Sequence, residues 1–389
     1  MNNKKAISIL LVILAYILST GISAAFFSKN SGVKKAVAPA LPSATTTGGG
    51  LKFSDTLPKT EACPLNGNMY SKDQKKWWES HRPLGVMIEN HKEARPQSGL
   101  SGADVIYEAV AEGGITRFLA VFYCNDAGEI GPVRSARTYF VDFISEYGNY
   151  PLYAHVGGAN QPGPANALGQ IEDYGWGGFN DLNQFSIGFP TFWRDYDRLG
   201  HPAATEHTMY STTQKLWDYA ATSRKLTNVD GEGTKWDSKF VSYGFADDAV
   251  LSARPKSQSI HLEFWKANPD YFVDWAYDPI SNTYKRNGGS PYIDRDNNQQ
   301  LTTKNIVVLS MVESGANDGY VDNDHLLYKT KGVGKASIIK DGKQIVGTWR
   351  KDSRTSRTLI FDAFGDPIKF DRGLIWFEIL PTDGVLTVK

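Results

Sequence analysis

Apolar runs of strand length, broken by glycine, proline and asparagine, recur along most of the chain. "RPLGVMIEN" places Pro83 before one such run, "ITRFLAVFY" has the β-branched and aromatic enrichment of a buried strand, and "YPLYAHVGG" reads as a third. Between the last two, "SARTYFVDFISEY" sets Ala136, Tyr139, Phe140, Phe143, Ile144 and Tyr147 at helical spacing, with Ser135 placed to cap the first turn. Further helices are expected at about 164–173 and 210–222. The alternation predicts a layered, mixed α/β domain over residues 60–225.

From residue 258 to 389 the texture changes. "SIHLEFW", "FVDWAYD", "NTYKRN", "NIVVLSMVE", "KASIIKDGKQIVGTWRK", "RTLIFDAFG" and "LIWFEIL" are short strand-like runs separated by Gly, Asn and Asp turns, which predicts a β-rich second domain. Residues 226–257 are expected to connect the two. The expected fold class is therefore α+β, a mixed α/β N-terminal domain packed against a β-rich C-terminal domain.

The N-terminus follows a different pattern. After Lys4 and Lys5, "AISILLVILAYILSTGISAAFFS" runs 23 residues without a charge before Lys29. At about 1.5 Å per residue this can cross a hydrocarbon layer of about 30 Å. The flanking lysines favour a cytoplasmic start and place everything downstream outside. Residues 1–27 are expected to be a membrane helix, which would make the protein single-pass in the cell membrane with extracytoplasmic C-terminal domains. A cleaved signal peptide is the competing reading, because small residues such as Ala24 offer a cleavage site. Residues 28–59, rich in Ala, Pro, Ser, Thr and Gly, are expected to be a disordered tether.

Composition narrows the function classes. The 42 basic and 42 acidic residues balance, and no basic stripe stands out, so nucleic acid is not an expected partner. Only Cys63 and Cys124 are present. Outside the membrane they could close a loop of about 60 residues, worth about 4 kcal/mol on the chain-entropy account, or they could be two buried thiols.

Two long stretches carry a resemblance. "RPLGVMIENHKEARPQSGLSGADVIYEAVAEGGITRFLAVFY" followed by "IGPVRSARTYF", and in the second half "DWAYDPISNTYKRN" and "DGKQIVGTWRKD", resemble the YerB-like extracytoplasmic lipoprotein family. The resemblance covers about 63–389 and implies a two-domain, membrane-attached protein of the bacterial envelope, without assigning a catalytic or binding residue. The chain departs from the lipoprotein members in lacking the lipid-accepting cysteine, so attachment would fall to the N-terminal helix.

The candidate chemistry centres on "EAVAEGGITRF" and "GPVRSAR". Arg134 and Arg137 lie three apart at the start of a predicted helix, whose free N–H groups add partial positive charge, so the cluster requires an anion. That anion is either internal, from Glu108 and Glu112, or an external phosphate or carboxylate held by the guanidinium forks. The ligand-binding residues expected on the second reading are Glu112, Arg117, Arg134, Arg137 and His155, bordered by Trp176 and Trp193 of the aromatic segment "YGWGGFNDLNQFSIGFPTFWRDYD". The competing reading is a long loop that uses its aromatics as a small core of its own against the domain.

If the protein were an enzyme acting on wall polymers, Glu108, Glu112 and His155 would be the first catalytic candidates. His155, His201 and His207 match no tight metal spacing, and no metal ligand is assigned. "DRDNNQQ" lacks the glycine and glutamate of a calcium loop and reads as a turn. No G-x-S-x-G elbow, Walker loop or dinucleotide fingerprint occurs, so no cofactor is expected. The expected function is a binding or accessory module of the cell envelope, its partner an anionic cell-wall polymer or an envelope protein.

Overall fold

A computed structural model of the protein describes residues 44–47 and 50–389, and the expected membrane helix over 1–27 lies outside them. Among the described residues no helix is long and apolar enough to cross a membrane. Within the stretch expected to be a tether, the amide of Leu51 donates to Asp126 at 2.8 Å, and the ring of Phe53 lies 5.6 Å from that of Trp77.

The first half contributes β1 (Leu84–Glu89), β2 (Val105–Glu112), β3 (Ile115–Phe122), α1 (Thr138–Ile144), β4 (Leu152–His155), α2 (Ala167–Asp173), β5 (Asp181–Asn183) and α3 (Thr213–Ser223). The second half contributes β6 (Ser259–Glu263), β7 (Val273–Asp278), β8 (Thr283–Asn287), β9 (Asn305–Met311), β10 (Gly332–Lys340), β11 (Lys343–Lys351), β12 (Leu359–Asp362), β13 (Ile375–Pro381) and β14 (Val385–Val388). Strands dominate and the helices are short, the longest of these being the 11 residues of α3. The first half is thus less helical than a layered α/β domain would be.

The two halves share one sheet. Ten strands run in the order β5-β4-β1-β3-β2-β13-β9-β10-β11-β12, and the seam is the parallel pairing of β2 with β13, Val105 to Ile375 through Glu108 to Glu378. Every residue of β1 and β13 is buried, the pattern of strands covered on both faces. At the seam the period-2 alternation of β13 feeds two layers. Phe377 stacks on Tyr107, which stacks on Phe143 of α1, while Trp376 meets Phe118 and, at 5.1 Å, Trp275 of the five-stranded sheet built on β8-β7-β6-β14.

Two buried charge networks bridge the halves. Glu146, just past α1, accepts from Lys351 at 2.7 Å, Arg357 at 2.6 Å, the Thr358 hydroxyl at 2.6 Å and Tyr107 at 2.9 Å. Arg286 of β8 sits 2.9 Å from Glu108 and 3.5 Å from Glu378, with Trp376, Tyr292, Trp275 and Phe118 around its guanidinium at 4.8 to 5.5 Å. One cation therefore faces two carboxyl groups. Burial and the adjacent Glu108 push the Glu378 carboxyl well above the usual carboxylate range.

Cys63 and Cys124 are joined as a disulfide, which decides between the two readings of the sequence. Asp294 of "DRDNNQQ" accepts from the amides of Gly99, Ser101 and Asp296, so this segment is a hydrogen-bonded turn.

Candidate functional site

The hairpin β2–β3 turns on Gly113 and Gly114, with φ of 55° and 77°. A two-residue turn of this kind requires positive φ at both positions, which glycine adopts without steric cost. The turn and the bulge before it present Glu112 outward at the same end of the sheet where β1 delivers Glu89 and β3 begins. Arg117 lies directly across from Glu89 in the antiparallel register. The segment carrying the arginines is then laid along β1: the amide of Arg134 donates to Met87 at 2.9 Å, and that of Val133 to Met209 at 2.7 Å.

Glu112 takes both neighbouring arginines. Arg117 Nη2 donates to one carboxylate oxygen at 2.7 Å, and Arg137 donates to the other. Arg117 also donates to the Ser135 carbonyl, and Arg137 to the Ala136 carbonyl. Burial pulls the pKa of each guanidinium down, yet arginine stays charged at physiological pH. The internal anion that the sequence left open is Glu112. Helix α1 starts at Thr138 with Arg137 as its N-cap residue, and no side chain caps it, so the expected Ser135 cap does not form.

Arg134 is placed differently. Its Nε lies 3.2 Å from Glu89, an ion pair without hydrogen-bond geometry, and no hydrogen bond from its terminal nitrogens is found among the described residues. It lines a cavity of about 210 Å³ together with Glu89, His91, Glu93, Glu112, Arg117, Glu206 and His207. His207 Nδ1 is 2.9 Å from Glu89, and this hydrogen bond raises the imidazole pKa. His91 stacks on His207 at 5.0 Å, and burial lowers its pKa. Four surface clefts are larger, at about 300 to 640 Å³, but their charged lining residues are exposed or half-buried and converge on no such cluster.

The other candidates lie elsewhere. Glu108 is fully buried on Arg286, Thr116 and Asn90, so its carboxylate cannot meet a polymer in this conformation. His155 is also fully buried, with Nε2 on Asp181 at 2.6 Å and Nδ1 on the Gly157 carbonyl at 2.7 Å. Trp176 is buried, with Arg354 stacked over Tyr174 and Trp176, and Trp193 is half-buried under Lys215. Neither tryptophan lines the cavity. Within that aromatic segment Phe185, Phe189 and Tyr196 are exposed while Trp176 and Phe192 are buried, so the loop is partly its own core.

Sequence reasoning missed Glu89, His91 and Glu93. The available signal was local: in "MIENHKEA" a buried apolar run ends in a glutamate and is followed at once by a histidine and a second glutamate.

Comparison with known proteins covers both halves. Residues 68–227 match the N-terminal domain, and residues 260–377 the C-terminal domain, of DUF3048, a family described as proteins of unknown function. The chain is similar to YerB of Bacillus subtilis (strain 168), named as a candidate lipoprotein, at 29% identity over 332 residues, covering 84% of this chain and 88% of that one. The crystal structure of Bacillus subtilis YerB has the same fold, with a TM-score of 0.66 at 23% sequence identity over 84% of this chain and all of the other.

Proposed function

We propose, since the chain belongs to the DUF3048 family, that it is an envelope-associated, extracytoplasmic binding protein whose ligand seat is the cavity beneath Arg134. Three observations support the placement outside the cytoplasm: the lysine-flanked apolar N-terminus, the Cys63–Cys124 disulfide, which suits an oxidising compartment, and the likeness to a candidate lipoprotein.

The observation that carries the binding reading is the free guanidinium edge of Arg134, since Arg117 and Arg137 are satisfied by Glu112. An arginine fork that pairs with Glu89 through Nε and keeps its terminal nitrogens for a recess suits a planar carboxylate or a phosphate. The walls carry four glutamates against two arginines, which disfavours a polyanion such as a teichoic chain and favours a single carboxylate, as at the end of a wall peptide.

The test is co-sedimentation of the full-length chain with purified wall polymers, comparing wild type with Arg134→Ala and Arg134→Lys. Loss of the fork is expected to weaken binding at least tenfold in both variants, about 1.4 kcal/mol, because lysine cannot make two parallel hydrogen bonds. Equal sedimentation of folded Arg134→Ala would place the seat elsewhere. Release of defined fragments by wild type would instead make the protein a hydrolase or transferase.

A further inference from the structure

The first turn after β1, Lys92–Ala94, brings His91 and Glu93 to the mouth of the cavity, facing His207 from the 3₁₀ turn Thr205–His207. One ring nitrogen from each histidine and one oxygen of Glu93 lie within 4.8 Å of one another. We propose that these three side chains form a binding site for a divalent transition metal ion of the zinc class. The site stands on its own residues and does not depend on the reading of Arg134.

His207 is the strongest part of the argument. It is only 5% exposed, its Nδ1 is held by the Glu89 carboxylate at 2.9 Å, and its Nε2 points at Glu93 from 3.7 Å without a hydrogen-bond partner among the described residues. A carboxylate that fixes one imidazole nitrogen so that the other faces outward is the arrangement that orients histidine ligands on metals. Glu89 is itself anchored by Arg134, so the second layer of support is built.

Two histidines and one glutamate are a donor set for zinc with a fourth position open. Ligand atoms at about 2.0–2.2 Å from a tetrahedral ion are about 3.3 to 3.6 Å apart, so separations here, none above 4.8 Å, close by at most about 1.5 Å. The Glu93 side chain, 60% exposed, is free to make that movement. Charge points the same way: the lining carries four glutamates and two arginines, and with Arg137 also on Glu112 one carboxylate is left over for a divalent ion to offset. All three side chains line the cavity that also holds Arg134.

The deciding experiment strips the full-length chain with chelator, equilibrates it with Zn²⁺, and measures retained metal by mass spectrometry across a range of free ion concentrations. One ion per chain is expected for wild type, with affinity at least tenfold weaker for His91→Ala and Glu93→Gln and unchanged for His201→Ala. His91 is half-buried and Glu93 exposed on a surface turn, so both variants should keep the wild-type circular dichroism spectrum. Wild type that retains no zinc overturns the proposal, as does equal retention by folded His91→Ala and Glu93→Gln.

Discussion

Replacing Glu146 with alanine should cost about 5 kcal/mol of stability, the upper end of the range for removing one partner of a buried ion pair. The carboxylate is fully buried and is the shared anion of Lys351 and Arg357, both also buried. Attraction to those two cations outweighs burial and holds its pKa below the usual range. Alanine would leave two cations in the interior with neutral partners only. With total stabilities of about 5–15 kcal/mol typical, a loss of this size leaves little folded protein at the low end. Urea titration at pH 7 measures it, and a change below about 2 kcal/mol would show that water reaches the two cations. Because desolvation is the cause, replacing Glu146, Lys351 and Arg357 together with apolar residues of similar volume should restore most of the loss.

The second large effect is expected at the seam. Arg286→Met should cost about 4 kcal/mol at pH 8, because Glu108 then loses its only cation and keeps Thr116, Asn90 and the Glu378 carboxyl as polar partners. The pH dependence separates this from lost packing. The raised pKa of Glu378 means that the folded chain keeps a proton which the unfolded chain releases above about pH 4.5. That contribution is complete below the unfolded value and is lost as pH rises toward the folded value, at about 1.4 kcal/mol per unit. Glu378→Gln is uncharged in both states, so its urea midpoint should match wild type near pH 4.5 and exceed it at pH 8. Parallel pH profiles for wild type and Glu378→Gln would mean that Glu378 is ionised in the fold.

Most strands were legible because β-branched and aromatic runs bounded by turn residues appear wherever the chain crosses the sheet. One exception is β2, where "VIYEAVAE" puts Glu108 among apolar residues, and a carboxylate in that position argues against burial until Arg286 is known to reach it. That partner lies 178 residues away and leaves no local trace. The union of the halves was hidden for the same reason, since pairing of β2 with β13 is a long-range property of two runs that each look complete alone. At the site, the need of Arg137 for an anion was legible and Glu112 answered it, whereas the separate fate of Arg134 depends on how residues 131–134 lie against β1. His155 looked available because it precedes two glycines at a strand end, but Asp181 on the parallel neighbour closes over it.

The seam also bears on how the protein is made. Ribosomes deliver β2 about 260 residues before β13, which at roughly 5–20 residues per second is an interval of roughly 10 to 50 s. Throughout it the nascent first half has an apolar strand with one row of N–H and C=O groups unpaired, a template for any passing extended chain. A holdase that masks this edge, or a rate of delivery fast enough to outrun encounter, becomes a condition for yield. By the same token, truncating the gene after the first half should give a product that clumps instead of a minimal working unit.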